Sequence, residues 1–300
     1  MAIIDDMTQK IIITLAIFAF GLANAQQLPF LYKVNVTTKV LSSKSQGYYN
    51  YYYRIVNSSK NIGSIMSFSV DVSRDSASLD LDTIGLIFAW PSMHRNFTRR
   101  FPSIKQNIVP FSFFCLPPNW DAAIGSISYA FTFLDTLFVL PGQEVDGIGL
   151  MSHGLPSVRS FSVEPMFDDD AYYGDKEPTP DEEDSVTQII SYYGKTVGPQ
   201  SPPKIFLPTA WCDTISNYTM QSRTLGWITN QITADKYLGY FSSAQSQLQS
   251  NNIAGARSTL QTVLTNAISD STSNLTSEAY ALIRYNTEYL IMQLLIPSSK

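Results

Sequence analysis

The stretch Ser64–Val72 reads SIMSFSVDV. Ile65, Ser67, Ser69 and Asp71 fall on one side of an extended chain, and Met66, Phe68, Val70 and Val72 on the other. A period of two with one apolar side is the pattern of a half-buried β-strand. The text on either side repeats it. Upstream, Tyr32–Thr37 (YKVNVT) and Tyr49–Val56 (YNYYYRIV) alternate in the same way. Downstream, Ile108–Cys115, Ile124–Leu134, Leu137–Leu140, Gly147–Met151 and Val158–Val163 are β-branched and aromatic runs, with Pro141-Gly142 as a turn between them. No stretch among these strands has the length and period of a helical crossover. Antiparallel pairing in an Ig-like β-sandwich over 28–166 is therefore expected, and parallel winding is not. The tyrosines at 49–53 have two readings: cross-strand packing partners, or a stacking platform for sugars or bases.

Composition changes at Phe167. Residues 168–184 (DDDAYYGDKEPTPDEED) are mostly acids, and prolines recur at Pro199, Pro202, Pro203 and Pro208. The whole of 167–208 reads as an acidic, Pro-rich linker. Asp168, Asp169, Asp170 and Asp175 have the oxygen chemistry that calcium wants, but not the EF-hand order, and a solvated acid run is the plainer reading.

Beyond Pro208 the period becomes helical. Tyr237, Tyr240, Phe241, Ala244 and Leu248 make one apolar stripe, Ile253, Ala256, Leu260, Val263, Leu264 and Ala267 a second, and Leu282, Ile283, Asn286, Leu290 and Leu294 a third. A further helix spans roughly Thr209–Ile228. Thr276 is placed to cap the last helix, with Glu278 in its first turn, where the helix dipole favours an acid, and Leu275 and Tyr280 are spaced as a hydrophobic staple. Stripes of this kind pack on one another as a small α-helical bundle over 209–297.

The first 25 residues read as a secretory signal peptide. Lys10 precedes the apolar run Ile11–Ala23, and Ala23-Asn24-Ala25 offers a small-x-small cleavage pattern between Ala25 and Gln26. An uncleaved anchor is the alternative, although the run falls short of the roughly 20 residues that span a bilayer. Without residues 1–25 the formal charge changes from −5 to −4. That balance disfavours nucleic acid, whose binding needs clustered Lys and Arg. Only two cysteines are present, Cys115 and Cys212. Either they pair across a long loop in an oxidising compartment, or they are two buried thiols.

Residues that carry chemistry are few. With His94 and His153 as the only histidines, a multi-histidine metal site is excluded. Ser152 and His153 near Asp146 lack a nucleophile elbow. Glu144, Asp146 and Glu164 are the acids available for a two-carboxylate glycosidase, or else surface acids guarding strand edges. N-x-[ST] sites occur at Asn35, Asn57, Asn96, Asn217 and Asn274, and matter only in a cell that glycosylates them. No cofactor fingerprint occurs, and no cofactor is expected.

Two resemblances add to this. Gly226-Trp227-Ile228, then YFSSAQSQLQSNNIAGARSTLQTVLTNAI and LTSEAYALIRYNTEYLI, resemble the FIMAH-type helical module of secreted bacterial hydrolases and surface proteins. The likeness covers about 70 residues, 226–291. Its marks are Ala244 with Leu248, Asn251-Asn252, Ala256 with Leu260, and Leu275-Thr276-x-Glu278-Ala279. Asn251 and Val263 stand where the family has Gly and Phe. YYYRIVNSS (51–59) and PGQEVDGIGLMSHGLPSVRSF (141–161) resemble an exported bacterial sandwich of unassigned role. Neither resemblance implies a catalytic residue. Together the readings give an α+β chain in segregated domains: a non-enzymatic secreted or cell-surface module that binds a glycan or protein partner, without nucleic acid and without an integral membrane segment in the mature chain. The rival is an accessory part of an extracellular hydrolase system, or a weak hydrolase using Glu144 and Asp146.

Overall fold

The computed structural model describes residues 28–43, 47–71, 114–115, 120–124, 128–133, 138–168, 172–174, 178–203 and 205–296. The cleavage position Ala25/Gln26, His94 and Asn96, the residues 108–113 and the acids Asp169, Asp170 and Asp175 lie outside them. The strands are β1 (Val34–Ser43), β2 (Tyr48–Asn57), β3 (Ile65–Asp71), β4 (Phe114–Cys115), β5 (Trp120–Ile124), β6 (Ser128–Phe133), β7 (Glu144–Ser152), β8 (Leu155–Pro165) and β9 (Tyr192–Gln200). The helices are α1 (Pro180–Ile190), α2 (Pro208–Thr224), α3 (Gln231–Gln249), α4 (Ile253–Asp270) and α5 (Ser277–Gln293). The chain is thus mixed α+β. Its strands form two antiparallel sheets, in the orders β1-β2-β7-β4 and β5-β6-β3-β8-β9.

Alternation decides which side chains enter the space between the sheets. Val36, Thr38 and Val40 of β1 and Tyr51, Tyr53 and Ile55 of β2 are buried, whereas Asn35, Lys39 and Arg54 between them face solvent. The two inner faces touch there. Tyr53 Oη donates to the carbonyl of Val197 on β9 at 3.1 Å, and the Tyr53 ring lies 5.2 Å from that of Phe68 on β3. Tyr51 Oη reaches the carbonyl of Gly154 at 2.7 Å, in the two-residue corner where the chain leaves one sheet for the other. That corner needs a glycine, because a Cβ at residue 154 would lie 2.8 Å from Pro199 Cβ.

Two readings of the sequence change. β3 is buried on both faces, not one: Ser67 and Ser69 are covered along with Phe68 and Val70. It is the middle strand of five, and Glu164 on β8 reaches across to accept the Ser67 hydroxyl at 2.9 Å. The stretch 167–208 is not linker throughout. Thr179 and Glu182 form a capping box that starts α1, and Tyr192–Gln200 pairs along β8 from Val163 to Leu155. Pairing with a neighbour outweighs the poor strand propensity of Gly, Lys and Pro in YYGKTVGPQ. Cys212 is a buried free thiol, and burial pushes its pKa up to about 12.

Helices α2 to α5 pack in a closed cycle: α2 on α3, α3 on α4, α4 on α5, and α5 back on α2. Asn230 and Asn252 cap α3 and α4 through bonds from Thr233 N at 2.8 Å and Gly255 N at 2.9 Å. Helix α5 is buried nearly all round. Ala281, Leu282 and Tyr285 belong to the core between the sheets, and Ala279, Ile283 and Leu290 to the core among the helices. It also completes an edge strand. Among the described residues one side of β1 has no strand beside it, so alternate backbone groups there need other partners. Glu278 Oε1 accepts from Thr38 N at 2.5 Å, and Tyr285 Oη donates to the Val40 carbonyl at 3.0 Å. Asn286 Nδ2 reaches the second sheet, at the carbonyl of Pro156, 2.9 Å away. Among the described residues no helix is long and apolar enough to cross a membrane.

The turn between α4 and α5 hangs on Asp270. Its carboxylate pairs with Lys236, accepts from Tyr237 Oη at 2.7 Å and takes a longer bond from Asn274 at 3.3 Å. Burial alone pushes this carboxyl up, but the bonds from Lys236, Tyr237 and Asn274 outweigh it and hold it below its ordinary value. A depressed folded-state value means stability that is fully present above the unfolded carboxylate pKa of about 4 and is lost as pH falls through the folded one. Asp270→Asn should therefore cost stability at pH 6, with the gap to wild type closing below about pH 4. Urea titrations at pH 6 and pH 3 test this, and a gap that stays constant would refute it.

Candidate interaction site at one end of the sheets

Because the strands run antiparallel, the start of β1, the end of β2, the start of β3, the start of β7, the end of β8 and the start of β9 gather at one end. Backbone bonds stitch the connecting segments together there. Ile62 N donates to the Phe30 carbonyl at 3.1 Å, Gly142 N to that of Asn57 at 2.9 Å, Met166 N to that of Ser64 at 2.8 Å, and Leu31 N to that of Ile190 at 3.1 Å.

Two buried asparagines fix these loops. Asn57 closes β2 and spends both amide hydrogens, on the carbonyls of Gly63 at 3.0 Å and Val139 at 2.7 Å. Its Oδ1 accepts from Asn61 Nδ2 at 2.6 Å. Asn61 in turn clamps Lys33, accepting its N–H at 2.9 Å and donating to its carbonyl at 2.7 Å. Gly63 fills the tightest point: a Cβ there would run into the Pro29 carbonyl and lie 2.8 Å from Pro165 Cβ. The side-chain amides of Asn57 and Asn61 are thus used inside.

Beside exposed Lys33, Ser59, Lys60 and Gln143, these loops turn apolar side chains outward. Tyr32 is 61% exposed, Leu140 48%, Met166 39% and Ile62 37%. The Tyr32 ring is stacked on Phe30, with centroids 5.7 Å apart and planes 18° from parallel. Tyr193 at the start of β9 adds a 56% exposed ring. Partial burial raises its phenol pKa, with help from the Glu164 carboxylate. Loops held in place by buried hydrogen bonds cost little entropy when a partner orders them.

The acids and histidine singled out in the sequence are not brought together. Glu144 lies on the outer face of its sheet in an ion pair with Arg54, and Asp146 accepts from Gly147 N at 2.7 Å. Glu164 stands on the other sheet, bonded to Ser67. Ser152 is buried and its Oγ accepts from Gly154 N at 3.0 Å, while His153 Nδ1 faces the Gly47 carbonyl at 2.9 Å. Ser152, His153 and Asp146 therefore form no triad. Tyr49, Tyr51 and Tyr53 turn inward as packing partners, Tyr49 against Tyr285 of α5 at 5.3 Å. Arg159 on β8 is buried and donates to the Pro199 carbonyl at 3.0 Å. Burial lowers the Arg159 pKa and pushes the neighbouring Tyr218 phenol up to about 12.

Sequence reasoning had noted Asn57 only as a glycosylation motif and had not singled out Asn61, Tyr32 or Leu140 as site residues. The available signal was NSSKNIG, two asparagines four residues apart ahead of a glycine, directly after a strand. No protein-family model matches this sequence, and no curated protein matches it.

Proposed function

We propose that this chain is a non-enzymatic, exported binding module that docks a protein partner at the loop end of its sheets. The observation that carries the reading is the exposed set Tyr32, Ile62, Leu140 and Met166 on loops locked from beneath by Asn57 and Asn61. Aliphatic side chains turned outward suit an apolar protein surface. A sugar would want side-chain amides, and those of Asn57 and Asn61 are used inside. The two sheets then act as an Ig-like sandwich, with end loops as the contact surface. Helices α2 to α5 act as a FIMAH-like bundle and the leader at 1–25 as an export signal, as the resemblances imply. A hydrolase using Glu144 and Asp146 draws less support, because Arg54 already occupies Glu144.

Retention of the full chain on immobilised extracellular-matrix and envelope proteins, with polysaccharides in parallel, tests the proposal. Tyr32→Ala should weaken saturable protein binding at least tenfold, about 1.4 kcal/mol, at unchanged melting temperature. Binding untouched by Tyr32→Ala, retention on polysaccharide alone, or turnover of a glycan would each sink it.

A further inference from the structure

We infer that this chain folds in a compartment that does not glycosylate asparagine, because a glycan on Asn57 and the native fold exclude each other. This goes beyond the proposed function and does not depend on which partner the loops meet.

Four N-x-[ST] asparagines lie among the described residues. Asn35 on β1 and Asn217 on α2 are exposed, and each could carry a sugar chain into solvent. Asn274 is half-buried, with Nδ2 3.3 Å from Asp270 Oδ1. Asn57 differs from all three. It is fully buried, and its Nδ2 makes two bonds, to Gly63 and Val139.

The transfer reaction joins the asparagine Nδ2 to C1 of a sugar. It breaks the bond from C1 to the diphosphate of a lipid-linked donor, the lipid diphosphate leaves, and one Nδ2 proton passes to a base of the transferase. A glycosylated Asn57 would keep one amide hydrogen where the fold uses two. The sugar chain would also have to leave through the loops that Asn57 ties together. One of the two carbonyls would be left buried and unpaired, and the β2–β3 and β7 loops would lose their common anchor. Burial gives no protection, because the transferase works on the emerging chain before Asn57 is covered.

Ser59 supplies the hydroxyl that the motif requires. It is exposed, and no hydrogen bond of Asn57 runs through it. Ser59→Ala therefore removes the motif and spares the network. The test compares the full chain with and without Ser59→Ala, each sent through a glycosylating eukaryotic secretory pathway behind a working leader. Both arms carry Thr276→Val, which removes the Asn274 motif at a hydroxyl that is buried without a partner. Folded yield is read by protease resistance, and site occupancy by mass spectrometry. The arm that keeps Ser59 should give several-fold less folded protein, with Asn57 glycan confined to the insoluble fraction. The Ser59→Ala arm should give folded protein glycosylated at Asn35 and Asn217. Folded protein bearing a glycan on Asn57 would overturn the inference, and so would equal folded yields. The same yield difference in a bacterial host would overturn it as well, since the loss would then owe nothing to a glycan.

Discussion

Replacing Asn57 with leucine should lower the stability of the chain by about 4 kcal/mol, one of the two largest effects expected from a single substitution. The side chain serves three buried partners at once: the carbonyls of Gly63 and Val139 and the amide of Asn61. Each group left unpaired in the interior costs about 1–3 kcal/mol, and leucine matches the volume without replacing a single bond. Asn61→Ala should cost less, because Asn57 keeps both of its own carbonyl bonds. Urea unfolding at neutral pH reads the difference as a shift in midpoint at constant slope. A loss below about 1 kcal/mol for Asn57→Leu would mean that the loops stand without the network, and the pre-organisation on which the docking proposal depends would go with it.

Most of the elements could be read from period alone. Tyr49–Val56 and Ser64–Val72 became β2 and β3 within two residues, and the stripes beginning at Tyr237, Ile253 and Leu282 became α3, α4 and α5. Leu137–Leu140 had the composition of a strand, yet its described residues, 138–140, contribute a single bridge of Val139 to Ile65, because the turn at Pro141 and Gly142 ends the pairing. β9 was missed for the opposite reason. Its residues are weak strand formers, and its stability comes from β8, whose paired residues stand 29 to 45 positions earlier, where a local reading does not see them.

The same limit applies to the site and to the way the two halves meet. Glu278 looked like an acid complementing a helix dipole, and it does sit in the first turn of α5. Its carboxylate also accepts the backbone of Thr38, 240 residues earlier in the chain. Asn57 looked like a glycosylation motif because motif reading is local, whereas its three partners come from two separate loops. Polar side chains that bond across the fold leave no periodic trace. The sequence therefore shows the strands and helices more plainly than it shows what locks them together.

Segregated halves and a shared core make opposite forecasts for Leu282→Ala. Leu282 is a residue of α5, but it is fully buried in the cluster that holds Tyr51, Ile55, Phe68 and Val163 of the sheets. Its neighbour Ile283 belongs to the core among the helices. Truncating a buried leucine costs about 2–5 kcal/mol, the lost transfer energy plus the cavity left behind. If the helices formed a separate unit joined by a linker, only amides of α2 to α5 would exchange faster in the variant. With α5 serving both cores and bonding the backbone of β1 through Glu278 and Tyr285, slow amides of β1 and β2 should lose protection by the same factor as those of α3 and α4. Hydrogen exchange followed residue by residue decides between them. Unaltered protection across β2 and β7, with the helices alone destabilised, would mean that the sheets and helices do not unfold as one unit.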